Sequence, residues 1–160
     1  RPGHLDSGVI LYMVEQGWTL EQMNQCLYKE SGLLGLSEIS NDVRDLLASD
    51  DPRAKFALAY FATHAAKEIA SVMVSMKGCD ALIFTAGIGE QSAIIRRMIV
   101  EQLDFLGFSL DADKNIDGRI DVPILRINSD DDKQIYVILT DEQLELALSL
   151  EQAITIETNN

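Results

Sequence analysis

The chain has 160 residues, of which 47% are hydrophobic and 24% are charged. This is the composition of one folded globular domain, and it excludes a disordered or collagen-like chain. Lys and Arg number 13 against 26 Asp and Glu, which gives a net charge of −13; this excludes nucleic-acid binding through bulk positive charge and requires a local site for any phosphate ligand.

Cysteine and histidine usage excludes two common kinds of site. Cys26 and Cys79 lie too far apart for a disulfide framework or a zinc spacing, and His4 and His64 are equally isolated. A reducing cytoplasm is the compartment that this usage favours. The longest weakly polar stretch, residues 69–88, is interrupted by charges and does not predict a membrane span. Because the chain opens without Met or a targeting signal, we expect it to be the interior of a longer polypeptide.

Two short helices are predicted at the start of the chain. Asp6 or Ser7 can cap a first helix that ends by Gly17. Thr19, with Gln22 three residues later, forms a capping box that opens a second helix. The first part of the chain is therefore expected to be helical.

The next segments predict a connection and two more helices. Residues 31–37 are too rich in glycine for a helix and too apolar for a solvated linker, so we expect an ordered connection there. Ser40 offers an N-cap to a helix over residues 41–48. Pro52 then opens a long helix in which apolar residues recur every three or four positions. Its Met and aromatic residues are expected in the core, and His64 is expected to pack or lie at the surface rather than to bind a ligand.

The second half alternates strands with helices. Residues 81–85 are typical of a strand covered on both faces, and residues 122–127 and 134–139 predict further strands. A helix is predicted between the first two strands. Thr140 with Gln143 forms a capping box for a last helix. About three strands against five or more helical stretches predict an α/β fold with a small sheet.

A turn that contains glycine follows the first predicted strand directly, at residues 86–92. Glycines at the carboxyl end of a strand let a ligand approach the backbone, and the helix that follows offers free amide groups and a partial positive charge. The turn is not a Walker loop, since no Gly-Lys-Ser/Thr follows, and it lacks the third glycine of the dinucleotide fingerprint. The spacing therefore predicts either a nucleotide site or a tight strand-to-helix turn.

Three further features admit both a functional and a structural interpretation. Arg1, which stands before a Pro-Gly turn, is suited to grip a phosphoryl group but is also typical of a solvated surface arginine. Glu142 could hold Mg²⁺ beside a phosphate, or it could simply favour the dipole of the last helix. The acidic residues from Asp113 match the opening of a calcium loop, but Ile124 stands at the twelfth position, so a solvated acidic loop is favoured.

Several of these motifs together resemble one family, the acetate kinases. The match runs in order over nearly the whole chain and resembles the C-terminal two-fifths of such an enzyme, which is two-lobed and belongs to the actin and sugar-kinase superfamily. The resemblance implies an α/β fold equal to the C-terminal part of a ribonuclease-H-like lobe, truncated of its opening strands. The segments that carry it are RPGHLD at residues 1–6, ESGLLGLS at 30–37, SNDVR at 40–44, FTAGIGE at 84–90 and LTDEQL at 139–144.

The family transfers the γ-phosphoryl group of ATP to acetate, reversibly, and forms acetyl phosphate and ADP. Such a transfer depends on neutralising charge on the moving group, which an arginine and Mg²⁺ supply. The resemblance implies that Arg1 contacts the phosphoryl group in the transition state and that Glu142 helps to position Mg²⁺. The residues that it implies for nucleotide binding are Asp42, Val43, Arg44, Gly87, Ile88, Gly89, Glu90 and Gln91.

The resemblance also implies the organisation of the chain. Residues 1–154 are expected to form an incomplete nucleotide-binding lobe, and the polar residues 155–160 are expected to fray. The family's catalytic histidines and aspartate, a second arginine, the main phosphate loops and most of the acyl pocket would lie upstream of Arg1, so we expect the isolated chain to be inactive.

Three interpretations of function stay open at this point. The chain is part of an acetate kinase, part of a propionate kinase, or a non-catalytic module that binds nucleotide or dimerises. The expected partners are ATP or ADP, acetate or propionate and, in the full-length enzyme, a second copy. No nucleic acid or membrane partner is expected.

Overall fold

Helices make up the first of two units into which the computed structural model divides the chain. The units are Arg1–Ser75 and Met76–Asn160. The residues that the structure describes are 1–116, 122–129, 133–141, 143, 146–147 and 150. In chain order, the helices that begin in the first unit are α1 (Ser7–Glu15), α2 (Leu20–Gln25), a π-helical turn (Cys26–Glu30), α3 (Gly32–Ser37), α4 (Val43–Leu47) and α5 (Pro52–Met76).

The starts of the first two helices follow the predicted capping chemistry. Asp6 is the N-cap of α1, and its side chain accepts a hydrogen bond from Gly8 N at 2.6 Å. At α2 both bonds of the capping box form: Thr19 N donates to Gln22 Oε1 at 2.8 Å, and Gln22 N donates to Thr19 Oγ1 at 3.2 Å. The predictions of both helices are confirmed.

The expectation of a connection at residues 31–37 was wrong, because α3 occupies most of that stretch. Its glycines serve close contacts rather than flexibility. Gly32 enters the helix with φ at +67°, where glycine is favoured, and a β-carbon on Gly35 would lie 2.8 Å from Glu30 O. Glycine is therefore required at positions where the backbone packs closely.

Two details of α4 and α5 also differ from the sequence expectation. Asp42, not Ser40, caps α4. On α5 the aromatic residues Phe56 and Tyr60 are exposed, so the expectation that the Met and aromatic residues of this helix form the core was wrong for most of them. The buried face of α5 is instead mostly alanine, because small side chains let neighbouring backbone approach the helix. Its members are Ala54, Ala57, Leu58, Ala62, Ala66 and Met73.

The second unit contains a small mixed sheet. Its strand order is β1-β3-β2, with β1 parallel and β2 antiparallel to the central β3. Ile135 and Val137 on β3 are fully buried, and the flanking positions of this strand are partly exposed. The prediction of three strands in an α/β arrangement is confirmed for the described residues. The elements are β1 (Ala81–Phe84), α6 (Ala86–Gln91), α7 (Ala93–Val100), a 3₁₀ turn (Asp104–Leu106), β2 (Ile124–Arg126) and β3 (Gln134–Ile138).

The first strand differs from the sequence expectation in its surroundings. Strand β1 was expected to be covered on both faces, but Ile83 is 51% exposed while its neighbour Phe84 is buried. Among the described strands β1 lies at an edge of the sheet and pairs only with β3. One face of the strand is therefore open in this chain.

Parallel pairing brings two distant segments to one edge of the sheet. Phe84 near the end of β1 lies opposite Val137 on β3, so the residues after each strand leave the sheet at the same edge. These are the glycine-containing residues 86–91 and the segment that begins at Thr140. The fold thus places side by side two motifs that lie far apart in the sequence.

Some sequence expectations fall on residues outside the described ranges. These are the tail at 155–160, most of the predicted last helix, and much of the acidic loop. In the described part of the chain, no helix combines the length and hydropathy that a membrane span requires.

Candidate functional site

The segment after β1, here called the glycine segment (Ala86–Gln91), is itself helical and not the open turn that the sequence predicted. It begins at Ala86, whose φ of +58° lies in the left-handed region. That conformation costs an alanine about 1 kcal/mol. The Ala86 N–H donates to Glu90 Oε1 at 2.8 Å, which compensates the strain. The amide at the start of this segment is therefore occupied by the segment's own side chain.

The two glycines of the segment have different surroundings. A β-carbon on Gly89 would lie 3.3 Å from the carbonyl carbon of Phe84, so this position packs directly on β1. A β-carbon on Gly87 would meet no atom of the described residues within 4 Å. Gly89 therefore serves packing, whereas Gly87 leaves room for something outside the chain to approach the backbone.

Glu90 joins the glycine segment to the end of β3. Its side chain is only 9% exposed, and Oε1 accepts hydrogen bonds from Thr140 N at 2.9 Å and Thr140 Oγ1 at 2.8 Å. Burial raises the pKa of this carboxyl, but the hydrogen bonds from Thr140 and Ala86 outweigh burial and bring the pKa below its ordinary value. Glu90 is thus a carboxylate at neutral pH, and its charge is directed at the backbone.

Arg96 on α7 fixes the other end of the glycine segment. Its side chain is fully buried, and Nη1 donates to Gly89 O at 2.8 Å and Glu90 O at 2.9 Å. Nε donates to Asn115 Oδ1 at 2.8 Å, and the Asn115 amide in turn donates to Ala93 O at 3.0 Å. A buried guanidinium therefore satisfies carbonyls at the end of α6 that the helix itself leaves without donors.

Sequence reasoning missed Arg96, although a signal was present. It stands three residues after Ala93 and four before Val100, which are both buried. An arginine on the apolar stripe of an amphipathic helix has to find buried acceptors, since an unpaired buried charge is costly. The helical spacing of α7 could therefore have identified it.

In the first unit, Asp42 and Arg44 form a local pair at the start of α4. Asp42 Oδ1 accepts from Arg44 N at 2.8 Å and from Arg44 Nε at 3.0 Å. The side-chain hydrogen bonds from Arg44 lower the pKa of Asp42 to about 2. Between them Val43 is buried, so its side chain belongs to the core and only its backbone is free to face a ligand.

Arg1 lies against the start of α3. A β-carbon on Gly32 would come within 2.6 Å of Arg1 O, so the two backbones are in close contact. The Arg1 guanidinium carbon lies 5.4 Å from the centre of the Tyr28 ring, which is cation–π range. The arginine borders a cleft of about 380 Å³ that Tyr60 and His64 also line. His64 packs on Tyr60 with ring centres 4.5 Å apart, as expected for a packing histidine.

The residues that the sequence singled out fall into three groups. Arg1 and residues 42–44 belong to the first unit, and residues 87–91 belong to the second. Glu142 lies outside the described residues, two positions after Thr140. Within the residues that the structure describes, His, Cys, Asp and Glu nowhere form a group of three or more that could hold a metal ion.

A model of the acetokinase family matches residues 1–148. An acetate kinase of Rhodopseudomonas palustris is 44% identical over 152 residues, which cover 92% of this chain and 37% of that protein. An acetate kinase of Rickettsia felis is 42% identical over 148 residues, with the same two shares. The chain therefore spans about 37% of the length of these curated relatives.

Solved structures give the same relationship in three dimensions. A propionate kinase of Francisella tularensis superimposes with a TM-score of 0.78 at 38% identity, over 90% of this chain and 37% of that chain. An acetate kinase of Entamoeba histolytica superimposes with a TM-score of 0.84 at 30% identity, over 94% of this chain and 40% of that chain. These agreements cover the fold of nearly the whole chain.

Proposed function

The chain belongs to the acetokinase family, and from this premise we propose that it is the nucleotide-binding part of a carboxylate kinase. The complete enzyme would transfer the γ-phosphoryl group of ATP to acetate and form acetyl phosphate and ADP, reversibly. The observation that carries the proposal is the glycine segment, which is held at both ends while Gly87 stays open. A fixed, accessible backbone after a strand suits a bound nucleotide.

Residues 42–44 in the first unit and residues 87–91 in the second are each proposed as nucleotide-binding, Glu90 through the position of its segment rather than through its carboxylate. The Asp42–Arg44 pair holds the guanidinium of Arg44 in one orientation, with its side chain 88% exposed. A planar cation held in this way is suited to stack on a base or to donate a hydrogen bond to a ribose oxygen. Ile88 and Gln91 lie on exposed positions of the glycine segment, where they can contact a ligand at Gly87.

Arg1 is proposed to neutralise the phosphoryl group during transfer. The Tyr28 ring contacts the Arg1 guanidinium, and Gly32 packs against the Arg1 backbone, so both residues orient the arginine. Negative charge on the oxygens of the moving group has to be balanced in the transition state, and a guanidinium donates two hydrogen bonds for that purpose. Glu142 would hold Mg²⁺, and the bound ion would supply further positive charge to the phosphate oxygens.

The acceptor is proposed to be acetate, with propionate as the second candidate. The relatives at 44% and 42% identity are acetate kinases, whereas the structure at 38% identity is a propionate kinase. The two acids differ by one methylene, which an acyl pocket distinguishes through about 1–3 kcal/mol. Most residues of such a pocket would lie in a part of the enzyme that this chain does not span.

The remaining expectations about the whole protein are proposals of the same kind. We propose that the chain is the later part of a ribonuclease-H-like lobe without its opening strands, which agrees with a sheet of three described strands. The exposed side chain of Ile83 is proposed to be covered by another part of the complete enzyme. The complete enzyme is proposed to be a cytoplasmic homodimer. The isolated chain is proposed to be inactive, and a non-catalytic module that binds nucleotide or dimerises is the alternative.

A chimera tests the proposal directly. The full chain replaces the matching segment of the Rhodopseudomonas palustris acetate kinase, and acetyl phosphate is measured from ATP, Mg²⁺ and acetate as its hydroxamate. We expect turnover by the chimera and none by the isolated chain. Parallel assays with propionate compare kcat/KM for the two acids.

Matched controls make each outcome decisive. The unaltered Rhodopseudomonas enzyme fixes the upper limit, and circular dichroism with a thermal melt establishes that the chimera is folded. A folded chimera that binds ADP but phosphorylates neither acid would favour the non-catalytic module. A folded chimera that binds no ADP would contradict the nucleotide site itself.

A further inference from the structure

We propose that Glu90 is a positioning residue whose carboxylate does not touch the nucleotide but couples the glycine segment to Thr140. Through that coupling it sets where the backbone at Gly87 stands relative to the segment that continues to Glu142. The coupling itself is independent of the proposed function, and only its consequence for ATP binding rests on that function.

Three hydrogen-bond donors converge on one carboxylate oxygen of Glu90. Glu90 Oε1 accepts from Ala86 N at 2.8 Å, from Thr140 N at 2.9 Å and from Thr140 Oγ1 at 2.8 Å. All three bonds are charge-assisted, which makes them stronger than bonds between neutral groups. An oxygen with three donors at these distances has little capacity left for a ligand.

Two of these bonds join residues that lie far apart in the sequence. Glu90 and Thr140 are 50 residues apart in sequence. Parallel pairing of β1 with β3 brings the ends of the two strands to one edge of the sheet, and Glu90 is the side chain that ties the segments beyond that edge. Movement of either segment relative to the other would break at least one of these bonds.

The same carboxylate holds a strained backbone at Ala86. Ala86 keeps φ at +58° although it is not glycine, and such residues persist only where their surroundings hold them. In this conformation the Ala86 N–H donates to Glu90 Oε1 at 2.8 Å. The next residue is Gly87, whose backbone is open for a ligand. The carboxylate therefore determines the orientation of the backbone that a nucleotide would contact.

A direct contact between Glu90 and a nucleotide phosphate is disfavoured by charge. Glu90 is only 9% exposed, so water would screen the repulsion between its carboxylate and a phosphate only weakly. The donors that Glu90 Oε1 does have all belong to the chain itself, namely the Ala86 amide and the amide and hydroxyl of Thr140. Glu90 is thus separated in role from the other residues of its motif.

Amide hydrogen exchange in the full chain tests the coupling without any ligand. The variant Thr140→Val keeps the Thr140 N–H and the side-chain shape but removes the Oγ1 donor. We expect exchange at Ala86 to accelerate about fivefold, the effect of losing one hydrogen bond. Thr140→Ser should restore the slow exchange. Tyr136→Phe is the matched control, since it removes a hydroxyl bond to Gln134 on the same strand and should leave Ala86 unchanged.

Steady-state kinetics of the chimera test the consequence for the nucleotide. Thr140→Val should raise KM for ATP about fivefold, while KM for acetate and the unfolding midpoint stay near those of the chimera. A purely structural role would lower the active fraction and would not separate the two KM values. The serine variant should restore the KM for ATP.

The outcomes separate this inference from the proposed function. Unchanged exchange at Ala86 in Thr140→Val would overturn the coupling. Faster exchange with unchanged KM for ATP would overturn the positioning role. If the unsubstituted chimera binds no ATP, the proposed function fails, and hydrogen exchange still decides whether Glu90 couples the two segments.

Discussion

Gly89 rests on Phe84 so closely that a β-carbon on the glycine would lie 3.3 Å from the phenylalanine's carbonyl carbon and 3.4 Å from its Cβ. Two positions earlier, the same addition on Gly87 would meet nothing within 4 Å among the described residues. One motif thus contains a glycine that serves packing and a glycine that faces open space. This contrast gives a matched pair of substitutions.

Gly87→Ala should leave the stability of the chain nearly unchanged and weaken ATP binding by the chimera about tenfold or more, because the methyl group occupies the space that a ligand would use. Gly89→Ala should instead lower the free energy of unfolding by about 1 kcal/mol, since the Phe84 backbone, held by its pairing with β3, has to shift slightly. Urea unfolding of the chain and ATP titration of the chimera measure the two effects. Equal effects of both variants on binding and stability would contradict the assignment.

Arg1→Ala in the chimera should lower kcat by about 10³-fold, because charge on the transferred group is no longer neutralised in the transition state. Its stability should change by less than about 0.5 kcal/mol, as expected for an exposed side chain. Arg97→Ala is the matched control, since Arg97 is an exposed arginine on α7 whose pairing with Glu101 is long, at 3.9 Å. Near-normal turnover by Arg1→Ala would leave Arg1 as a surface charge.

Arg96→Met should lower the free energy of unfolding by about 3 kcal/mol or more. The apolar side chain leaves the carbonyls of Gly89 and Glu90 buried without this donor, and each unsatisfied group costs about 1–3 kcal/mol. Arg97→Met, one residue later but exposed, should change stability by less than about 0.5 kcal/mol. Urea denaturation of the chain measures both. Equal stabilities of the two variants would contradict the assigned role of Arg96.

The Asp42 carboxyl should stay ionised in acid. Its pKa is about 2 in the folded chain, because hydrogen bonds from Arg44 favour the carboxylate. A lowered folded pKa means that the pair's contribution to stability is complete above the unfolded pKa near 3.8 and is lost as pH falls through about 2. Carbon-13 NMR of the carboxyl measures the titration, and Arg44→Gln should return the pKa towards 3.8. An unchanged value in that variant would contradict the pairing.

Local sequence chemistry predicted the parts of the fold that depend on neighbouring residues. The capping box of Thr19 and Gln22 needs only a spacing of three, and the long helix after Pro52 needs only its own periodicity. Both were correct because the interactions that form them join residues close together in the sequence. The three strands followed from short apolar runs in the same way.

The errors arise where distant residues decide. Gly32 and Gly35 looked like helix breakers, but their close contacts with Arg1 and Glu30 make glycine necessary in a helical segment. The helix after the glycine turn was expected to offer free amide groups, but the segment is itself helical, and its first amide is occupied by Glu90, which also accepts from the distant Thr140. The roles of Arg1, residues 42–44, residues 87–91 and Glu142 in binding stay predictions.

The pairing of β1 with a strand more than fifty residues later also bears on how the second unit forms during synthesis. Strand β1 and the glycine segment leave the ribosome before β3 exists, so Glu90 then has the Ala86 amide but not Thr140. Contacts of such long range close slowly, whereas the helices of the first unit rely on local contacts. The second unit can therefore assemble only after Thr140 has been made, and during that interval Phe84, which the folded unit buries, stands open to chaperones or to other nascent chains.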